Sequence, residues 1–260
     1  MSGKNQRLFE IFLDVQRGLP RQGPGVEAST LEALACCTAL PERPAILDIG
    51  CGPGMQTVTL SQALRDAHIT ALDLHQPFLH ELKARAHAAR VADRIDILVA
   101  DMHVLPFPPQ SFDLIWVEGA AYIMGVEMAW IAWKPFLKAE GYIAMSELVW
   151  LHAEPPTEVV DFFAHEYPAM TDIATNVARL QACGYELAGH FTLPDAAWWA
   201  PYYTPLEAKL PALYDTYAND EDALGIIEST KREIEMRRRF GNWYGYEFFI
   251  GRNRLTTSMV

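Results

Sequence analysis

The chain has 260 residues, half of them hydrophobic and 21% charged, with a formal net charge of −12. That length supports a full buried core in one large domain or two small ones, and the acidity disfavours nucleic acid as a partner, because neutralising phosphates takes a basic surface. No apolar run approaches the ~20 residues a membrane span needs.

Elements follow in chain order. In "MSGKNQRLFEIFLDVQRG", Leu8, Ile11, Phe12 and Val15 recur at helical spacing. Charges scattered among these positions are expected to rule out a signal peptide. "LPRQGPGVE" (19–27) reads as a loop, and a helix from about Ser29 to Leu40 follows, capped by Ser29 or Thr30. Strands and helices then alternate. "AILDIG", "ITALDL", "IDILVAD", "FDLIWVEG" and "GYIAMSELVW" read as strands; "MQTVTLSQALRDA", "QPFLHELKARAHAARVA" and "VEMAWIAWKPFL" read as helices. Near-continuous apolar strands separated by helices predict a doubly wound α/β fold with a parallel sheet covered on both faces. Ligands of such folds bind beyond the carboxyl ends of the strands.

Later, "TDIATNVARLQACGY" reads as a helix ended by Gly184, and "ELAGHFTL" and "YGYEFFIGR" as two more strands. Between those strands lies an insertion (195–240) holding "WWAPYY" and a charged helix. The basic cluster "KREIEMRRRF" (231–240) reads as that helix's solvated face. Cys36, Cys37, Cys51 and Cys183 form no CxxC or Cys/His zinc pattern. They are expected to be buried or half-buried thiols of a cytoplasmic protein, and no metal site is expected among the eight histidines.

The chemistry starts at "ILDIGCGPGMQT" (46–57), a strand, a glycine-rich turn and a helix. This arrangement collects backbone N–H groups at a helix N-terminus and suits a nucleotide-like cofactor. Asp73, about twenty residues on, is placed to accept both hydroxyls of a ribose. A dinucleotide-binding oxidoreductase would share both features. However, Met55 stands where its third glycine belongs, and Pro53 removes a donor from the turn.

Taken together, "ILDIGCGPG", "ITALDL", "VADMHVLPFPPQSFDLIW" and "FLKAEGYIAMSE" resemble, in order and spacing over about residues 44–150, the class I S-adenosylmethionine-dependent methyltransferases. "RQGPG", "EGAAY" and the final "YGYEFFIG" resemble a subgroup of small bacterial methyltransferases of undefined substrate. The resemblance implies a Rossmann-like seven-stranded sheet in a single domain. In it, N-terminal helices and the RQGPG loop (1–43) precede the cofactor core (44–150), and substrate-side helices, the insertion and the final strands follow (151–260). It further implies S-adenosylmethionine as cofactor, leaving S-adenosylhomocysteine. Asp48, Gly50, Gly52 and Gly54 are expected along the methionine and ribose, Asp73 on the ribose diol and Leu74 on the adenine. Asp101 is expected to accept from the adenine amino group beside the Met102 backbone, and Arg21 to pair with the methionine carboxylate. Read by itself, Asp48 or Asp101 would equally serve as a helix cap.

Methyl transfer requires the acceptor to be aligned, water excluded and, for a protonated nucleophile, a proton removed. Glu118, at the end of "FDLIWVEG", with Tyr122 and His152, forms the expected catalytic set; Glu118 is also a candidate cofactor contact. Glu147 reads more readily as structural, and His165, like His152, is able to take a proton at neutral pH. Trp116, Tyr122, Trp150, Trp198 and Tyr202 are expected to line the acceptor pocket. In "WWAPYY" the rings of Trp198, Trp199, Tyr202 and Tyr203 serve as core or as a lid. The expected activity is therefore transfer of a methyl group to nitrogen or oxygen of a small organic acceptor. A methyltransferase for protein or tRNA, or a silent cofactor-binding protein, stands as the alternative.

Overall fold

A computed structural model describes residues 3–254. In chain order the elements are α1 (Gly3–Gln16), α2 (Glu27–Ala35), β1 (Ala45–Ile49), α3 (Met55–Ala63), β2 (His68–Asp73), α4 (Gln76–Ala88), β3 (Ile95–Val99), β4 (Phe112–Glu118), α5 (Val126–Trp133) and β5 (Leu137–Trp150). There follow α6 (Thr157–Glu166), β6 (Thr171–Asp172), α7 (Ile173–Ala182), β7 (Glu186–Thr192), the short α8 (Ala196–Trp198), a π-helical turn (Trp199–Tyr203), α9 (Thr204–Thr216), α10 (Glu221–Phe240) and β8 (Tyr244–Arg252). No helix among the described residues is long and apolar enough to cross a membrane.

The sheet runs in the order β3-β2-β1-β4-β5-β8-β7. Strands β1 to β5 are parallel, and β8 lies antiparallel to both β5 and β7. The two-residue β6, on β5, is an eighth strand that the expected seven did not include. Because strand order reverses between β1 and β4, their C-terminal ends diverge and leave a crevice there. One face of the sheet, with Ile46, Leu114 and Trp116, packs on α2, α3 and α4 through Ala33, Leu60, Leu79 and Leu82. The other, with Leu47, Ile49, Ile115 and Val117, packs on Trp130, Trp133 and Leu180 of α5 and α7. A third cluster joins α1, α6, α9 and α10 to the end of β8 through Val15, Phe163, Trp198, Leu206, Ile234 and Tyr244.

Local sequence explains several boundaries. Asp172 caps α7 by accepting from the Thr175 N–H at 2.7 Å, and Asp220 caps α10 by accepting from Ala223 at 3.2 Å. Three expectations change. Helix α2 starts two residues earlier than expected and ends at Ala35. Thr30 does not cap it, because the hydroxyl donates to Glu118 at 2.9 Å, 88 positions on. Residues 157–166, unassigned in the sequence, form α6, with Val159, Phe162 and Phe163 turned to the third cluster. The basic end of α10 is not all solvated. Arg237 is buried, donating to the Tyr244 carbonyl at 2.6 Å and lying 3.9 Å over the Trp198 ring, whereas Arg238 and Arg239 do make exposed ion pairs.

Gly54, at φ +80°, starts α3, and a β-carbon there would lie 2.1 Å from Leu82 Cδ1. The substitution Gly54→Ala is expected to cost roughly 1–3 kcal/mol through the left-handed backbone and the clash with α4. Chemical denaturation checks this, and adding Leu82→Ala should recover part of the loss by removing the obstructing methyl group.

Candidate active site

A cavity of about 330 Å³ opens in the crevice beyond β1, β2 and β4. Gly50 and Gly52 of the turn, Asp73 and Leu74 after β2, Asp101 and Met102 after β3, and Glu118 at the end of β4 all line it, with Arg21 and Tyr122. Gly50, at φ +67°, turns the chain where a side chain's β-carbon would lie 2.6 Å from that of Ala120. The cavity floor therefore has no room for a side chain there.

Two matching turns build the rim. Asp73 Oδ1 accepts from the His75 N–H at 2.8 Å and lies 3.0 Å from His75 Nδ1, while Oδ2 accepts from the Gly52 N–H at 3.0 Å. Asp101 Oδ1 accepts from the His103 N–H at 2.9 Å and lies 2.7 Å from His103 Nδ1. The tripeptides "DLH" and "DMH" encode both turns, a signal in the sequence that the motif reading passed over. His75 and His103 both face the cavity.

Glu118 is held on all sides. Its carboxylate takes an ion pair from Arg21, a hydrogen bond from Thr30 Oγ1 at 2.9 Å and another from Trp116 Nε1 at 2.8 Å, with only 2% of the side chain exposed. Held by a cation and two neutral donors, it is suited to fix a wall. Arg21 is spent on Glu118, not standing free as the expected methionine partner. Its Nε is nonetheless buried without a hydrogen-bond partner.

A second cavity, of about 240 Å³, abuts the first. Phe12, Gln22, Gly23, Pro24, Gly119 and Tyr122 line both. Its far walls come from β5, α6, the π-helical turn, α10 and β8, and include Glu147, Tyr167, Trp198, Tyr202, Glu233 and Tyr246. Burial pushes the Glu147 carboxyl up to about 7 and raises Glu233 as well. The Tyr203 hydroxyl donates to Glu233 at 2.7 Å.

Several expected site residues lie elsewhere. Asp48 and Gly54 sit behind the first cavity's wall. Asp48 is fully buried, accepting from Thr57 Oγ1 at 2.6 Å and from Gln56, because it points into the packing between β1 and α3. Trp116 is core, wholly enclosed against Phe248, and reaches the site only through its bond to Glu118. Trp150 packs edge-on to Phe163 and lines neither cavity. His152 is exposed beside Trp243, 5.8 Å between ring centres, and His165 is exposed with Nδ1 on the Asp161 carbonyl; neither reaches a cavity. Strand β5 carries Trp150 and His152 past the crevice, since it runs 14 residues. Tyr122, Trp198 and Tyr202 line the second cavity.

Comparison with known proteins bears on the domain type and the fold. Residues 46–141 match the model of a methyltransferase domain. The 27-O-demethylrifamycin SV methyltransferase of Amycolatopsis mediterranei is 35% identical over 71 residues, which is 27% of this chain and 26% of that protein. The chain spans less than half the length of the curated relatives it matches. Two solved structures, each in complex with S-adenosyl-L-homocysteine, superpose over 94% of this chain and 98% of theirs. These SAM-dependent methyltransferases come from Geobacter sulfurreducens (TM-score 0.79, 19% identity) and Thiobacillus denitrificans (TM-score 0.78, 22% identity). At those identities the likeness is one of fold. Residues 46–141 thus match a methyltransferase domain, and the chain as a whole shares the fold of those two solved structures.

Two outcomes follow from the buried carboxylates. Arg21→Ala leaves Glu118 buried without its cation, so it is expected to lower stability by roughly 3 kcal/mol or more, with Arg21→Ala/Glu118→Gln less affected than the single change. A denaturation cycle over the four proteins reads this. Asp48 is pushed up to about 7 by burial, which outweighs its bonds to Thr57 and Gln56, with Glu118 adding to the rise and Arg21 opposing it. The folded state thus holds this proton more tightly than the unfolded chain, so Asp48 favours folding below about pH 4, and that contribution is lost as pH rises through about 7. Relative to Asp48→Asn, the natural protein should lose roughly 2–4 kcal/mol across that window, measured as the difference between the two stability–pH curves.

Proposed function

We propose that the chain transfers a methyl group from S-adenosylmethionine, held in the first cavity, to nitrogen or oxygen of a small organic acceptor held in the second. The observation that carries this reading is the shared wall: Phe12, Gln22, Gly23, Pro24, Gly119 and Tyr122 border both spaces. Two ligands seated there would meet at that wall without crossing solvent, as an in-line transfer requires.

The first cavity's residues fit the cofactor. Asp73 retains acceptor capacity beyond its bonds to Gly52 and His75, since a carboxylate offers about four lone-pair sites, and in this reading it takes the ribose hydroxyls. Leu74, 58% exposed, and Ile123, 53% exposed, are large apolar side chains left uncovered on the rim; an adenine seated there would cover them. Asp101 and the Met102 backbone then face the base, and Gly50 and Gly52 allow close approach of the amino-acid arm. The unpartnered Nε of Arg21 is a further donor toward that arm. When bound, the cofactor supplies an electrophilic methyl on a sulfonium. The chain's own part is to aim the acceptor, exclude water through the ring-rich second cavity and accept any proton the acceptor sheds. Tyr122 spans the junction, and Glu118 fixes its floor.

Calorimetric titration with S-adenosylhomocysteine is expected to give micromolar binding, and Asp73→Ala is expected to weaken it at least tenfold through loss of about 1.5–3 kcal/mol of charge-assisted hydrogen bonding. Incubation with methyl-labelled S-adenosylmethionine and a panel of small acceptors reads transfer. Absence of binding, or tighter binding of NAD, would overturn the reading.

A further inference from the structure

Resting on that reading, we propose that the second cavity takes an amine: a protonated primary or secondary amine on an aromatic or apolar body, its ammonium group seated against Glu147 with Glu233 and Glu166 adding to the negative field. The walls carry three carboxylates (Glu147, Glu166, Glu233) and no lysine, arginine or histidine, and ten of the lining residues are aromatic. Rings and carboxylates without a counter-cation select a cation and reject an anion, because ring faces and carboxylates both present negative charge.

Glu147 gives the assignment its position. The residue is 2% exposed; Oε1 accepts from the Leu148 N–H at 3.1 Å, the Tyr167 hydroxyl approaches the carboxyl and favours its charged form, and Oε2 is buried without a partner of good hydrogen-bond geometry. Its neighbour in register on β8, Glu247, is equally buried but fully engaged, by His190 Nδ1 at 2.6 Å and Thr192 Oγ1 at 2.5 Å. Two carboxyls opposite one another on adjacent strands are unfavourable unless each is neutralised. Glu247 has its partners within the fold, whereas Glu147, which lines the cavity, keeps one buried oxygen without a hydrogen bond. Burial pushes that carboxyl up to about 7, so it holds a proton readily when nothing cationic is beside it. The charged and titratable groups around it are Tyr122, Tyr167, Glu166, Glu233 and Tyr246, with Arg179 behind Tyr167. Arg237 lies against the Trp198 and Tyr244 rings and is already paired with Asp195 at 2.9 Å.

The chemistry balances. The ammonium gives one proton to the Glu147 carboxylate, which passes it to water after turnover. The freed nitrogen lone pair forms the N–C bond as the C–S bond breaks, with the bonding electrons left on sulfur. The nitrogen finishes as a methylated ammonium and the donor sulfur as a neutral thioether. Before that proton leaves, ammonium and sulfonium are both cationic, and the acidic wall offsets their repulsion.

The test titrates 2-phenylethylamine, 2-phenylethanol and 3-phenylpropanoate into the full chain at pH 7.5, both alone and saturated with S-adenosylhomocysteine. The amine is expected to bind at least tenfold more tightly than the alcohol, and the carboxylate not to bind. Glu147→Gln should remove that preference while leaving S-adenosylhomocysteine affinity within twofold. If Glu147→Gln does not fold, Glu233→Gln carries the same measurement, with a smaller expected loss. Equal binding of amine and alcohol, binding of the carboxylate, or an amine preference that survives both substitutions overturns the assignment. Failure to bind S-adenosylhomocysteine sinks the methyltransferase reading instead, and the titrations without it still report whether the cavity prefers a cation.

Discussion

The ion pair between Arg21 and Glu118 is the constraint on which the site depends. It joins a loop near the N-terminus to the end of β4, at the point where strand order reverses. Both partners are almost completely buried, so each charge is desolvated and neither tolerates loss of the other. Thr30 and Trp116 supply two further donors, one from α2 and one from β4 itself. The result is a neutralised post at the lip of the first cavity. From it the chain 22–24 passes between the two spaces. Without this neutralisation an acidic residue could not sit fixed beside a second acidic cavity.

That contrast separates two glutamates that a sequence presents alike. Glu118 and Glu147 both lie at or near the C-terminal ends of neighbouring strands, and the sequence favours Glu118 for chemistry. Folding assigns the partners the other way. Glu118 receives a cation and two neutral donors from 2, 88 and 97 positions away, whereas Glu147 receives one backbone N–H and the approach of the Tyr167 hydroxyl, with no cation. A carboxylate's reactivity is set by what reaches it, and those groups arrive from distant segments.

The same distinction marks what was legible. Strands β1 to β5, the glycine turn and the final strand follow from hydrophobic runs and turn residues that are local in the sequence, and their residues stand where expected within a few positions. Asp73, Leu74, Asp101 and Met102 reach the first cavity because the end of a parallel strand fixes where the next residues point. Thr30, like Ser29, has the local context of a cap, and the acceptor that competes for its hydroxyl is visible only in three dimensions. Trp116 lies off the cavity because proximity in sequence to a strand end does not say which face of the sheet a side chain takes, and Trp150 and His152 because β5 runs on past the crevice.

The aromatic insertion shows how packing and recognition are combined. In "WWAPYY" the rings of Trp198, Tyr202 and Tyr203 are at once core and cavity wall, buried against α1, α10 and β8 on one side and lining the second cavity on the other. Their rigidity comes from edge and tilted ring contacts such as Trp198–Tyr244 and Tyr202–Tyr203, at 5.8 and 4.9 Å between centres. A wall built from core residues holds its shape in the absence of ligand, so little ordering entropy opposes binding. The cavity's charge is then left to the carboxylates set among those rings, and of these Glu147 alone has a buried oxygen with no partner in the described protein.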